Sequence, residues 1–258
     1  MKYWYETIAV AQRILIELIR RRRSLILWSI FPISILLIVG FIFADRVEDL
    51  PLAEAFARAT PPALVGSAFF FSCLGGAVAT VVSEREQQTL KRLFISPLSG
   101  TSYFLGIFAA HSAIAIGQAL VMFTLAVFLG ARFRGSPLLC LVILLLSIIT
   151  YVGLGFILGT QLARRTEDVN SLVAAFGVPL LILGGAFFPT FLFPESLLRL
   201  ARLNPIYHMI EALFAVIIDG RGINAIADHF GFLLLFAMLM VGGGWLSYRR
   251  MLQVERQL

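Results

Sequence analysis

The sequence is short of charge. Only 14% of its 258 residues are Asp, Glu, Lys or Arg, while 59% are hydrophobic, and mean hydropathy is +0.91. Soluble domains average about 25% charged residues. A single apolar core stops growing near about 250–300 residues, so the surplus apolar side chains must face lipid. Cysteine is also scarce. Cys73 and Cys140 lie inside apolar runs and fit no metal-ligand spacing, so they read as small core hydrophobes rather than as a disulfide. No H-E-x-x-H, G-x-S-x-G or C-x-x-C occurs, and His208 and His229 stand isolated from any metal-ligand spacing. No nucleophile–base pair can be placed, so an intramembrane enzyme lacks support. G-x-x-x-x-G-K-[ST] is missing too, so this chain has no P-loop of its own in which to cradle ATP phosphates. No metal or cofactor is expected on it. The net charge of +6 would raise nucleic acid as a partner for a soluble protein. In a membrane protein the placement of the basic residues matters more than their sum, and no nucleic-acid partner is expected.

What is present is a series of apolar stretches, at about 24–43, 62–82, 103–129, 137–160, 170–188 and 229–247. Each approaches the 20 or so residues that a helix needs to cross a bilayer. They predict an all-α membrane protein with six transmembrane helices. Before them, residues 1–23 form an amphipathic segment. Trp4, Ile8, Ala11, Leu15 and Leu18 recur at helical spacing, with Glu6, Arg13, Glu17 and Arg20 on another side. With Arg20, Arg21, Arg22 and Arg23 following at once, this reads as an interfacial helix. Phe41-Ile42-Phe43-Ala44 lacks a small-x-small cleavage site, so the first apolar stretch reads as a retained span rather than a signal peptide. No internal repeat or flexible linker divides the chain, and residues 1–258 are expected to form a single transmembrane domain. With six spans both termini share a side, and 14 of the 21 Lys and Arg fall there. The positive-inside bias puts both termini in the cytoplasm, in a plasma (inner) membrane.

Ionisable groups within spans mark ion paths and proton relays. Here the span cores carry almost none, which counts against a proton- or ion-coupled transporter. His111 is the exception, with Gln118 on the same helical face. A neutral imidazole hydrogen-bonded to a neighbouring helix would account for it.

Two connecting segments carry the informative polar residues. The first follows span two and runs from Ser83 to Pro97. Ser83 and Glu86 have capping-box spacing, Pro97 stops the helix near Ser96, and early acids and late bases both suit the helix dipole. Glu84, Gln87, Gln88 and Lys91 would line one face, with Leu90, Leu93 and Phe94 on the apolar one. That predicts a short amphipathic helix at the cytoplasmic surface, either a solvated connector or a docking element. The second segment, 189–226, precedes span six. Pro194-Glu195 starts a short helix and Asn204-Pro205 a second, with Asn as N-cap and Pro at the first helical position. They would extend about 13 and 20 Å at 1.5 Å per residue. Neither can cross a hydrocarbon core of about 30 Å, so the pair predicts a re-entrant helical hairpin in which Glu211 needs a structural partner.

These segments resemble a known family. Glu84-Arg85-Glu86, Thr89-Leu90-Lys91-Arg92-Leu93 and Ser96-Pro97-Leu98 resemble the cytoplasmic loop of type-2 ATP-binding-cassette exporter permeases. Leu203-Asn204-Pro205-Ile206-Tyr207-His208-Met209-Ile210-Glu211-Ala212 resembles that family's segment before the last span. The likeness covers essentially the whole chain. Two positions depart from the pattern: Gln88 where the family often has Gly, and Leu213 and Phe214 where a basic residue often stands. The resemblance implies a transmembrane permease subunit that forms the substrate pathway with a second copy or a close homologue. Separate cytoplasmic ATPase subunits would hold ATP and Mg. They would dock on Glu84, Arg85, Glu86, Gln88, Leu90, Lys91, Leu93 and Phe94, and on the N-terminal helix, while Asn204, Pro205, Tyr207 and Glu211 would belong to a re-entrant gate. A non-transporting membrane assembly subunit is the other reading, beside the ion-coupled transporter. Phe69-Phe70-Phe71 suits either a pathway wall or a lipid-facing surface, and drugs, lipids and polysaccharides all stay open as cargo.

Overall fold

In a hydrocarbon environment every backbone N–H and C=O must find its partner within the protein, which restricts the chain to helices or a closed barrel. The computed structural model describes residues 2–20, 22–47, 49–89, 98–163 and 165–255. Among these, every regular element is helical: α1 (Lys2–Arg20), α2 (Arg22–Arg46), α3 (Leu52–Glu86), α4 (Gly100–Phe128), α5 (Pro137–Gln161), α6 (Thr166–Leu183), α7 (Glu195–Ala201), α8 (Pro205–Ile217) and α9 (Ala227–Glu255). Six of them, α2 to α6 and α9, are long and apolar enough to cross a membrane, so the chain is a multi-pass membrane protein. The side that holds α1 and the end of α9 is called proximal below, and the opposite side distal.

The central helix is α3. Its 35 residues extend the apolar stretch 62–82 at both ends. At 1.5 Å per residue this is about 50 Å of helix, longer than a hydrocarbon core of about 30 Å. Phe56, Leu64, Phe69 and Val78 on it are completely buried. Pro61 and Pro62 remove two N–H donors from its ladder. Directly after them, from Leu64 to Gly75, the helix widens to i→i+5 hydrogen bonding. Neighbouring helices bond to carbonyls of this wide stretch: the Tyr151 hydroxyl donates to Val65 at 3.0 Å. His111 Nδ1–H donates to the Ser72 carbonyl at 2.8 Å, and its Nε2 accepts from the Thr80 hydroxyl at 3.2 Å. Both ring nitrogens are thus used as a structural imidazole would use them. Gly76 makes room for that ring, because a Cβ there would lie 2.7 Å from His111 Cε1. Phe69 and Phe70 are buried rather than turned to lipid, and Phe71 packs edge-on against Phe31 at 5.2 Å.

Close helix approach depends on small residues. At Gly155 a Cβ would fall 2.8 Å from the Leu74 carbonyl oxygen and from Ala77 Cβ. One turn on, at Gly159, it would fall 3.2 Å from Val81 Cβ. This G-x-x-x-G face of α5 lets α3 and α5 meet almost backbone to backbone.

Helix α1 is amphipathic in the way its sequence suggests, and its buried stripe is narrow. Thr7, Val10, Ala11 and Ile14 are its buried residues, seated where Gly106 of α4 leaves space. Trp4, Ile8 and Ile19 are exposed, together with Tyr3 and Tyr5. Glu6 and Arg13, on the side away from Trp4 and Ile8, dock α1 on the protein through Ser99, Ser102 and Glu84. The aromatic stripe on the outside is the part that suits a membrane–water boundary.

The segment after span two also differs from its sequence reading. Helix α3 continues through Ser83 to Glu86, so Ser83 lies in its last turn and caps no new helix. Ser83 Oγ instead accepts from Gln87 Nε2 at 2.9 Å. The helix stops at Gln87, and Gln88 turns left-handed at φ +53°, with its N–H bonded to the Arg85 carbonyl. This is the position where the resembled family often carries glycine. Of the expected docking helix, Leu90, Lys91, Leu93 and Phe94 lie outside the described residues.

On the distal side, α7 and α8 meet at 95° and neither is long enough to cross. Both ends of α8 have hydrogen-bond partners. Asn204 Oδ1 accepts from Ile206 N–H at 3.0 Å, and at the other end Arg134 N–H donates to the Ile217 carbonyl at 2.9 Å. Ile206, Met209, Leu213 and Val216 bury the helix against α3, α5 and α9.

A left-handed conformation costs a residue with a Cβ about 1–2 kcal/mol relative to glycine. Gln88→Gly is therefore expected to stabilise the chain by about 1 kcal/mol. A thermal unfolding midpoint in detergent that fails to rise would contradict that assignment of strain.

Candidate functional site

Three consecutive residues end the central helix: Glu84, Arg85 and Glu86. Successive side chains on a helix point about 100° apart, so each reaches a different neighbour. Glu84 turns inward and is only 6% exposed. It pairs with Arg13 of α1 and accepts a hydrogen bond from the Tyr103 hydroxyl of α4. The Tyr103 ring stacks on Tyr248 of α9, with centroids 5.5 Å apart and planes 22° from parallel. Arg85 Nη1 donates to the carbonyls of Gly159 and Ala163, at 3.3 and 3.2 Å. This places a cation on the negative end of the α5 dipole. Glu86 accepts from the Thr166 N–H at 3.0 Å and from the Thr166 hydroxyl, placing an anion on the positive end of α6. The carboxylate that the sequence assigned to a capping box does cap a helix, but it is α6 rather than its own.

A second clamp lies where the chain re-enters the bundle. Ser99 is the N-cap of α4, its hydroxyl accepting from Ser102 N–H at 3.0 Å. Glu6 of α1 closes over this turn, accepting from Ser99 N–H at 3.1 Å and Ser102 Oγ at 2.8 Å. The hydrogen bond from Ser102, with that from Ser99, holds the Glu6 carboxyl below the usual carboxylate range. Residues 90–97 therefore join two fixed points. One is tied to α1, α4, α5 and α6, the other to α1 and α4.

Of the sequence-derived docking residues, Glu84 faces the protein interior and is unavailable as a surface contact. Arg85 is half-buried against α5, and Glu86 and Gln88 are exposed. Burial of Glu84 follows from the helix running straight through Ser83: without a break there, position 84 falls on the face of α3 that meets α1 and α4. Arg13 and Tyr103 were missed in the sequence, since they lie 71 and 19 residues from Glu84 and no spacing rule joins them.

The distal residues separate into two groups. Asn204 and Pro205 start α8, and Asn204 Nδ2 also donates to the Leu180 carbonyl of α6 at 2.6 Å. Tyr207 packs by His208 and His229, at centroid distances of 5.3 and 5.8 Å. Those two histidines, apparently isolated in the sequence, share a hydrogen bond of 2.9 Å between their Nδ1 atoms. His208 Nε2–H donates to the Arg202 carbonyl at 2.8 Å. Glu211 lies apart, accepting from Thr190 Oγ1 at 2.6 Å.

The proximal cluster predicts an asymmetry. Removing one member of a buried ion pair costs about 3–5 kcal/mol when the other is left uncompensated. Arg13 has a side chain 37% exposed and can rehydrate, whereas Glu84 cannot. Arg13→Ala should lower the unfolding midpoint in detergent clearly more than Glu84→Gln; equal losses would remove the argument. For Glu6, the depressed pKa means a stabilising contribution present above the ordinary carboxylate range and lost as pH falls through the lowered value. Amide exchange in α1, corrected for intrinsic rate, should accelerate on acidification and already at neutral pH in Glu6→Gln. Unchanged protection in that variant would refute the clamp.

A family model described as ABC-2 type transporter matches residues 5–218, from the first turn of α1 to just past the end of α8. The probable multidrug ABC transporter permease YbhR of Escherichia coli K12 is 24% identical over 172 residues, covering 66% of this chain and 46% of the relative. The chain thus spans about half the length of that relative. Nodulation protein J of Sinorhizobium fredii is 27% identical over 213 residues, covering 81% of this chain and 79% of the relative. A helix docked beside six apolar spans, a bent helix pair before the last of them, and a family match over most of its length together show that the chain belongs to the ABC-2 type transporter family.

Proposed function

We propose that this chain is the permease subunit of an ATP-driven exporter, moved by separate ATPase subunits that dock on residues 87–97 and on the neighbouring end of α1. The carrying observation is the three-way attachment of Glu84, Arg85 and Glu86. Four helices receive hydrogen bonds or ion pairs from three adjacent residues, and a fifth, α9, is joined through the Tyr103–Tyr248 stack. A displacement of the segment beyond Gln88 therefore acts on α1, α4, α5 and α6 together. The bond types favour rigid transmission, because ion pairs and capping bonds at helix ends hold direction as well as distance.

The remaining features agree with an external motor. The chain has no P-loop, so ATP and Mg belong to the partner. His111 is engaged at both nitrogens in holding α4 to α3, which leaves it unsuited to relay protons. The basic bias of the proximal side supports placing both termini in the cytoplasm, in the plasma (inner) membrane. A second copy, or a close homologue, would complete the pathway. YbhR is named for multidrug transport, and export is the direction assigned here.

The chain is expected to co-purify with a P-loop ATPase, and the complex in liposomes to move cargo only with hydrolysable nucleotide. Reversing Glu86 to Lys would put a cation on the N-terminus of α6 and is expected to cut nucleotide-driven transport at least tenfold. Transport by the purified chain alone, without nucleotide, would end this reading.

A further inference from the structure

On the distal side, away from the clamps, a cavity of about 320 Å³ opens between the ends of α2 and α3, the turn after α6, and α8. That size lies within the range of about 300–1,000 Å³ typical of small-molecule pockets. Its walls are mostly apolar, and four phenylalanines, Phe43, Phe187, Phe191 and Phe214, contribute to them. Three charged residues also line it, and two are already compensated. Arg58 pairs with Glu54 through Nη2 at 2.7 Å and Nε at 3.2 Å. Asp219 pairs with Arg221 at 3.2 Å. The third is Glu211. Its bond partner is the neutral Thr190 hydroxyl, and among the described residues no basic side chain forms an ion pair with it. Among the described residues, the cavity is thus an aromatic recess with one carboxylate that has no ion pair.

We propose that this recess binds an organic monocation with an apolar body, taken up as cargo with its charge against Glu211. The assignment follows from what each alternative ligand would leave unpaired. A neutral apolar molecule would strip water from the Glu211 carboxylate and offer nothing in exchange, at the cost of burying an unpaired charge. A sugar would bring many hydroxyls to walls that present few polar groups, and Thr190 is already committed to Glu211. An anionic lipid headgroup would meet a carboxylate, with the Arg58 charge already spent on Glu54. A cation satisfies Glu211 directly, and phenylalanine rings around it add attraction through their electron-rich faces. The site is shared between two elements: Glu211 lies on α8, while Thr190 comes from the turn after α6, so a shift of α8 would change the carboxylate's surroundings.

That the bound cation is cargo rests on the permease reading; that it binds at all does not. The test separates the two. The full chain in phosphatidylcholine nanodiscs is titrated with tetraphenylphosphonium and with the neutral triphenylphosphine oxide. Tetraphenylphosphonium should bind at least tenfold more tightly than the neutral compound. Glu211→Gln should lose at least tenfold in affinity for the cation alone, and Glu211→Asp should recover part of it. Phe191 is 76% exposed, so Phe191→Ala leaves the core untouched and should weaken cation binding several-fold even if Glu211→Gln proves poorly folded. Equal affinity for cation and neutral compound, or unchanged cation affinity in both Glu211→Gln and Phe191→Ala, would overturn the proposal. In the complex with its ATPase, tetraphenylphosphonium should stimulate ATP hydrolysis. Binding without such stimulation would overturn the cargo role and leave the permease reading intact. Failure to find any ATPase partner would strike the permease reading and leave the binding site standing.

Discussion

A carboxylate enclosed at the end of a long apolar helix has to be neutralised where it sits. Glu84 is in that position, and Arg13 and Tyr103 are the groups that meet it. Much of the proximal architecture depends on this arrangement. It fixes α1 on the bundle, orients Tyr103 for its stack on Tyr248, and sets the rotation of the last turn of α3. That rotation in turn delivers Arg85 to the C-terminus of α5 and Glu86 to the N-terminus of α6. A helix turned by even one residue would aim all three side chains at the wrong partners.

The two sides of the molecule solve different problems with the same small set of polar residues. Proximally, charges are spent on one another and on helix dipoles, producing a stiff junction at the base of the segment 90–97. Distally, Asn204 and the backbone of Arg134 satisfy the ends of α8, and among the described residues Glu211 has the Thr190 hydroxyl as its hydrogen-bond partner and no ion pair. Between them the spans hold together by close packing, with the Gly155–Gly159 face of α5 against α3 and with Tyr151 and His111 bonding to the widened stretch of α3.

Much of this could be read along the chain. Six apolar runs, the short helices on either side of Asn204-Pro205 and the missing P-loop are local properties of composition and spacing. The misreading after span two was local too. Ser83 and Glu86 have the spacing of a capping box, but the spacing is equally compatible with the last turn of a continuing helix, and only packing of Val81, Val82 and Glu84 against neighbours decides between them. On α1, hydrophobic periodicity located the helix and its apolar stripe but not the polar contacts that dock it. Glu6 and Arg13 find partners inside the protein, while Trp4 and Ile8 stay exposed on the outside. In water an apolar stripe must turn inward; beside a membrane it need not.

The sequence by itself determined that the chain lives in a membrane and how many times it can cross, because both depend on the count and placement of charge along a single helix. The tertiary structure decided which charges are spent and which are free. Arg13, Glu84 and Tyr103 come from three separate helices, His208 meets His229 across 21 residues, and among the described residues Glu211 has no ion pair while Arg58 is paired with Glu54 and Arg221 with Asp219. Pairing across helices depends on rotation and register, which no periodicity within one helix encodes.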